Sequence, residues 1–307
     1  MDKPYLKSGA LHLLSRDVKL NLLQGREGDL VSMPQNRNLP FRSTLSRQYE
    51  WLFVLPSLLL LALLALPVLA LLWRAGADGI TIFLAQPSAV AALRLSLWTS
   101  SLSVLIAIVT GTPLALVLAR RKFTGKTFLE LVIDLPIVLP PSVAGIALLI
   151  AFGRQGVFGT WLNAVGISLP FTTTAVVLAQ TFVSAPLFVR AARIGFAEIE
   201  HQVVEAAYVE GSNEWQLFRF VMFPLAGRAI LSGAILAWTR AIGEFGATIL
   251  FAGNLEGVTQ TMPLAIYLGL ERSLSVALAL STVLVFVSFL LLLVTRRLEN
   301  HKERSAQ

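Results

Sequence analysis

The 307-residue chain is 55% hydrophobic and only 14% charged, with a mean hydropathy of +0.72. Soluble globular domains carry about 25% charged residues, so this composition excludes an ordinary soluble fold and indicates a helical membrane protein. The net charge of +7 does not indicate nucleic acid, because the basic residues flank apolar spans and form no aromatic-interleaved patch.

There is no cysteine, which excludes disulfides and thiolate metal sites. His12, His201 and His301 lie far apart in polar segments and do not read as a metal site. Residues 1–50 are polar, mixed in charge and without a sustained apolar period, and they read as an unstructured cytoplasmic tail. Residues 51–73 form the first predicted span. Ala75-Gly76-Ala77 resembles a signal-peptidase site, but the apolar core is too long for a signal peptide and follows a long polar segment, so the span reads as an uncleaved anchor.

The second span runs over residues 95–119 and is followed by Arg120-Arg121-Lys122 and Lys126. The third, 131–152, contains Pro136, Pro140 and Pro141, which cannot keep a regular hydrogen-bond ladder and predict a kinked or broken helix. Residues 172–194, with Pro186 inside, form the fourth span, 225–251 the fifth and 274–295 the sixth. The block that carries the predicted spans thus covers residues 51–297, leaving 298–307 as a short tail.

Lys and Arg distribute unevenly between the two sets of loops. With the N-terminus inside, the inner segments hold twenty and the outer loops only four (Arg74, Arg94, Arg154 and Arg272), with Arg240 inside a span. The positive-inside bias predicts six spans with both termini cytoplasmic. No internal repeat supports an inverted-repeat carrier.

Between the fourth and fifth spans lies a polar island, residues 195–223. Glu198, His201, Gln202 and Glu205 recur at helical spacing beside Ile199, Val203, Ala206 and Ala207, which predicts an amphipathic helix over 198–210. Gly211 ends that helix, Ser212 is placed to cap the next, and Glu214 sits in its first turn. The result is a helix–turn–helix knob facing the cytoplasm.

Glu205-Ala206-Ala207, Gly211, Val221 and Phe223-Pro224 together resemble the EAA loop of importer-type ABC transporter permeases. That family prefers Ile and Leu where this chain has Val221 and Phe223. A second resemblance narrows the family: Gly243-Glu244-Phe245-Gly246-Ala247-Thr248 through Asn254, the run Thr259–Tyr267, and Leu135–Gly145 are similar to the molybdate permease subunit. Sulfate permeases share the Gly-Glu-Phe-Gly core but usually differ after it. The resemblance covers residues 50–297 and implies an all-α type I importer permease in the cell inner membrane. It also implies a homodimer, two cytoplasmic ATPase subunits coupled through Glu205, Ala206, Ala207, Gly211 and Pro224, and an external binding protein delivering molybdate or tungstate. ATP and Mg would sit on the partner ATPase, with no cofactor in this chain.

The residues agree with a non-catalytic role. No Gly-x-x-x-x-Gly-Lys-Ser/Thr phosphate loop occurs, and Gly153-x-x-Gly156-x-x-Gly159 lacks a following lysine and reads as turn geometry. Asp134, Arg240 and Glu244 are ionisable groups within apolar stretches, where they must be paired or wet. Arg240 and Glu244 are one helical turn apart, so they can pair as a structural or dimer contact, or serve the pathway or its gate. Ser142 and Thr248 are candidate hydroxyls for a weakly binding path lining, or small residues for helix packing.

Overall fold

The computed structural model describes residues 47–76 and 79–304, and the predicted N-terminal tail is outside them except for its last residues, 47–50. The chain divides into two units. Of the first, residues 1–61, the structure describes 47–61, the start of helix α1 (Arg47–Ala75). The second, residues 62–307, holds the rest of α1 and every other element.

The described residues form helices without a strand. Among the described residues, four helices are long and apolar enough to cross a membrane, and two bent pairs raise the number to six if each pair is one span. After α1 and the short α2 (Gly79–Leu84) comes α3 (Pro87–Arg120), which begins at Pro87 rather than near residue 95. A proline in the first turn loses no hydrogen bond there, which permits the earlier start. The long α7 (Thr173–Ala197) packs along α3 and is capped by Thr172, whose hydroxyl accepts from Ala175 N–H at 3.2 Å. α10 (Gly227–Ile242) packs on both.

Small residues set how closely these three helices approach. A β-carbon at Gly111 would stand 2.8 Å from the Phe188 ring, and one at Gly233 would stand 2.9 Å from Ala191 Cβ. Helices separated by such residues gain packing that lipid tails do not supply. The seam is also polar. Ser96, Thr99, Ser100 and Ser103 follow one face of α3 and are fully buried. Ser103 Oγ donates to Val177 O at 3.0 Å, Trp238 Nε1 donates to Ser100 Oγ at 2.9 Å, and Met262 N–H donates to Ser96 Oγ at 2.7 Å.

The predicted third span is two helices, α4 (Lys126–Val138) and α5 (Pro141–Phe152), bent by 117° at Leu139-Pro140. Leu139 is extended (φ −64°, ψ 135°), the conformation a following proline imposes. So large a bend makes this pair a broken span or a re-entrant element, the broken form of the two outcomes the prolines predicted. The loop after α5 leads into α6 (Gly159–Ala164) and uses its glycines for tight turns. β-carbons at Gly153, Gly156 and Gly159 would each collide with backbone carbonyl oxygens.

The fifth span differs from expectation too. α10 stops at Ile242, and residues Gly243-Glu244-Phe245 break the helix before α11 (Gly246–Phe251) resumes. A further helix, α12 (Met262–Arg272), had no counterpart in the sequence reading. α13 (Leu274–Arg304) starts where predicted and continues through most of the expected tail.

Candidate functional site

The polar island is an elbow of two helices, α8 (His201–Val209) and α9 (Glu214–Leu225). The amphipathic helix begins at His201 rather than at 198. Glu198 is the C-terminal cap of α7, and Glu200 is extended (φ −60°, ψ 140°), so the helical register restarts. The restart changes which face is covered: Val204 and Ala207 rest on the main apolar core, whereas Val203, Glu205, Ala206 and Val209 are exposed. Ile199, expected on the helix stripe, is buried upstream of it. No residue of α8 is fully buried, and Val209 is 88% exposed.

Gly211 ends α8 at φ +86°, a left-handed conformation that costs any residue with a β-carbon. Ser212 N–H donates to Ala207 O at 3.0 Å and Gly211 N–H to Tyr208 O at 2.9 Å, the paired bonds of a Schellman stop. The cap of α9 is Asn213 and not Ser212. Asn213 Oδ1 accepts from Gln216 N–H at 2.9 Å, and Gln216 Oε1 accepts from Asn213 N–H at 3.0 Å. Tyr208 Oη donates to Glu214 Oε1 at 3.0 Å, closing the elbow. That hydrogen bond to a carboxylate moves the Tyr208 phenol above its usual pKa.

α9 widens into a π-helical turn over Leu217–Met222 just before the exposed Pro224. The ring of a proline and its missing N–H disturb the regular ladder, and the wide turn absorbs that disturbance. The chain then bends by 68° between Glu214–Leu225 and Gly227–Ile242, which converts the elbow into the start of α10.

The second constellation is the α10–α11 break. Glu244 is 1% exposed, and its Oε1 accepts from Ala247 N–H at 2.7 Å, so the carboxylate caps α11. Its Oε2 meets Arg240 Nη1 as an ion pair off the axis of a hydrogen bond, and the Arg240 side chain remains 33% exposed. The first turns of α5 and α11 lie against one another. A β-carbon at Gly246 would stand 2.6 Å from Pro141 Cβ, and one at Gly145 would stand 3.0 Å from Ala247 Cα. This contact brings Ser142, exposed in the first turn of α5, beside the break that holds Glu244. Thr248 is fully buried and its hydroxyl has no hydrogen-bond partner. The two constellations are separate: the elbow lies where α10 begins, the break where it ends.

The description "Binding-protein-dependent transport system inner membrane component" belongs to the family whose model matches residues 107–304, which include both constellations. The chain belongs to this family. Its relatives are permease subunits of ABC transporters, which are not themselves enzymes. This permease is 42% identical over 248 residues to the molybdenum transport system permease protein ModB of Mycobacterium tuberculosis, covering 80% of this chain and 92% of that one. It is 36% identical over 261 residues to the probable sulfate transport system permease protein cysT of Chlorokybus atmophyticus, covering 84% and 91%. In fold it resembles a chain of a bacterial ABC transporter involved in the import of the acidic polysaccharide alginate. The TM-score is 0.68 at 16% identity, with 85% of this chain and 98% of that chain covered. The permease is therefore a multi-pass membrane protein with an ABC-importer fold.

The sequence reading missed three contacts around the elbow. Arg120 Nη2 donates to Ile199 O at 2.9 Å, and Arg193 pairs with Glu130. Asp134, read from sequence as a charge in apolar surroundings, shares a small cleft with Glu130, Arg190 and Arg193. The third is the Asn213–Gln216 box, whose Asn-x-x-Gln spacing was itself a readable signal.

Proposed function

We propose that this chain is the translocating subunit of an ATP-driven importer of molybdate or tungstate, working as a homodimer with two cytoplasmic ATPase subunits and an external binding protein. The observation that carries the proposal is the elbow. α8 presents Val203, Glu205, Ala206 and Val209 outward, a small and partly apolar surface suited to close approach by another protein. The excess of Lys and Arg in the segments flanking one set of span ends supports six spans with both termini and the elbow in the cytoplasm.

The mechanism follows from how the elbow is tied down. Val204 and Ala207 seat α8 on the core cluster formed with Leu217, Met222 and Ala226. Arg120 links the α7–α8 junction to the end of α3, and the 68° bend links α9 to α10. A push on α8 from closing ATPase subunits therefore moves α3, α7 and α10 as packed bodies instead of being lost in a flexible loop. Rocking of such bodies changes the side on which a path opens.

Molybdate is favoured by the likeness to ModB and by the run Gly243–Asn254. Sulfate is the second reading, supported by the likeness to cysT. Vesicles containing the chain with its ATPase and binding protein would take up molybdate or tungstate only with internal ATP, sulfate competing weakly. Equal uptake without nucleotide would remove the proposal.

A further inference from the structure

We propose that Arg240 is the residue that meets the oxyanion as it crosses, and that Glu244 is a positioning residue that aims Arg240 and keeps its hold weak. The inference rests on the oxyanion-importer reading and adds to it a contact residue and a reason for fast release.

Arg240 occupies the last turn of α10, about three turns from the helix's other charged residue, Arg228, and a third of its side chain is exposed. A guanidinium is always charged and offers five donors in a rigid fork. Such a group facing acyl chains is strongly disfavoured, so its open side faces water or a polar guest. Its position is fixed from behind. Glu244 is buried, with one oxygen on Ala247 N–H and the other against Arg240, so the carboxylate cannot turn away without uncapping α11. α11 is in turn held against α5 by the Gly246–Pro141 and Gly145–Ala247 contacts, and Ser142 is exposed on the adjoining turn.

A cap alone does not explain this arrangement. Serine, asparagine or aspartate satisfies a helix N-terminus without placing a permanent cation at the break. A structural ion pair within the chain would be expected to cover both partners, whereas here the carboxylate is fully covered and a third of the arginine side chain is left open. The chemistry that fits the exposed fork is a tetrahedral dianion, which a guanidinium grips with parallel hydrogen bonds. A bare arginine in low dielectric would hold that anion too long for transport. The adjacent Glu244 charge cancels part of the attraction, the compromise that conduction requires.

The test uses the reconstituted complex with its ATPase and binding protein, offered molybdate, tungstate and sulfate, and reads ATP hydrolysed per anion imported. Arg240→Gln should raise that ratio about tenfold or more while loaded binding protein still stimulates hydrolysis. Arg240→Lys keeps the charge without the fork and should raise it about threefold. Glu244→Gln keeps an oxygen for Ala247 N–H but removes the opposing charge, so anion should remain with the complex after washing. A structural role would lower hydrolysis and import together and leave the ratio unchanged in both Arg240 variants, which would overturn the inference. If Arg240→Gln does not assemble, the Arg240→Lys ratio alone decides. Should the unaltered complex import none of the three anions, the substrate reading fails instead, and the two failures are distinguishable.

Discussion

Arg120, the last residue of α3, reaches across to the chain break between α7 and α8 and donates from Nη2 to the carbonyl oxygen of Ile199 at 2.9 Å. That carbonyl lies beyond the regular ladder of α7, where helix ends leave acceptors without partners. A side chain from one span thus closes the end of another at the root of the elbow. Arg120→Leu should remove a charged hydrogen bond worth about 1.5–3 kcal/mol and loosen that root. Thermal unfolding of the purified chain should shift downward, and import per ATP should fall further than stability alone accounts for. Unchanged import per ATP would separate Arg120 from coupling.

Gly211 tests the elbow's shape. A β-carbon there would meet no atom within 4 Å, so the cost of Gly211→Ala comes from the left-handed backbone (φ +86°), about 1–2 kcal/mol. Gly211→Asn should be milder, because asparagine tolerates that conformation. Co-purification of the ATPase subunit should follow the order glycine, asparagine, alanine.

The α5–α11 contact has no room for growth. Gly246→Ala should push Pro141 away and cost about 1–3 kcal/mol by overpacking. Since the displaced turn carries Ser142 and the shifted one follows Glu244, import should fall with stability. Thermal unfolding and uptake, measured on the same preparation, check it.

The Arg193–Glu130 pair joins α7 to α4, with side chains 30% and 26% exposed. A double-mutant cycle using Arg193→Gln and Glu130→Gln should return a coupling of about 0.5–1 kcal/mol. A value near zero would show that α4 is held to α7 by apolar packing alone.

Much of this was readable in the residues. The Glu205-Ala206-Ala207, Gly211 and Phe223-Pro224 spacing located the elbow, and the i, i+4 spacing of Arg240 and Glu244 anticipated their pairing. What escaped were the breaks within apolar stretches. Hydropathy reports that a segment is greasy but not whether it runs straight, so residues 225–251 read as one span. Only the cap that Glu244 gives to Ala247 N–H exposes the joint. The Pro140-Pro141 pair did warn of a break, yet prolines do not encode its angle. Likewise the stripe of α8 was misassigned because an extended Glu200 reset the register, an event that periodicity counted across it cannot register.

The central claim is that motion enters through the exposed face of α8. Because the chain has no cysteine, a single introduced thiol is a unique reporter. Val203→Cys on α8 should form a disulfide with a cysteine in the groove of the ATPase subunit, in an amount that changes when ATP is added. Trp161→Cys, at a position more exposed still (79% against 39% for Val203), should form none. A crosslink at position 161 with none at 203 would contradict the account.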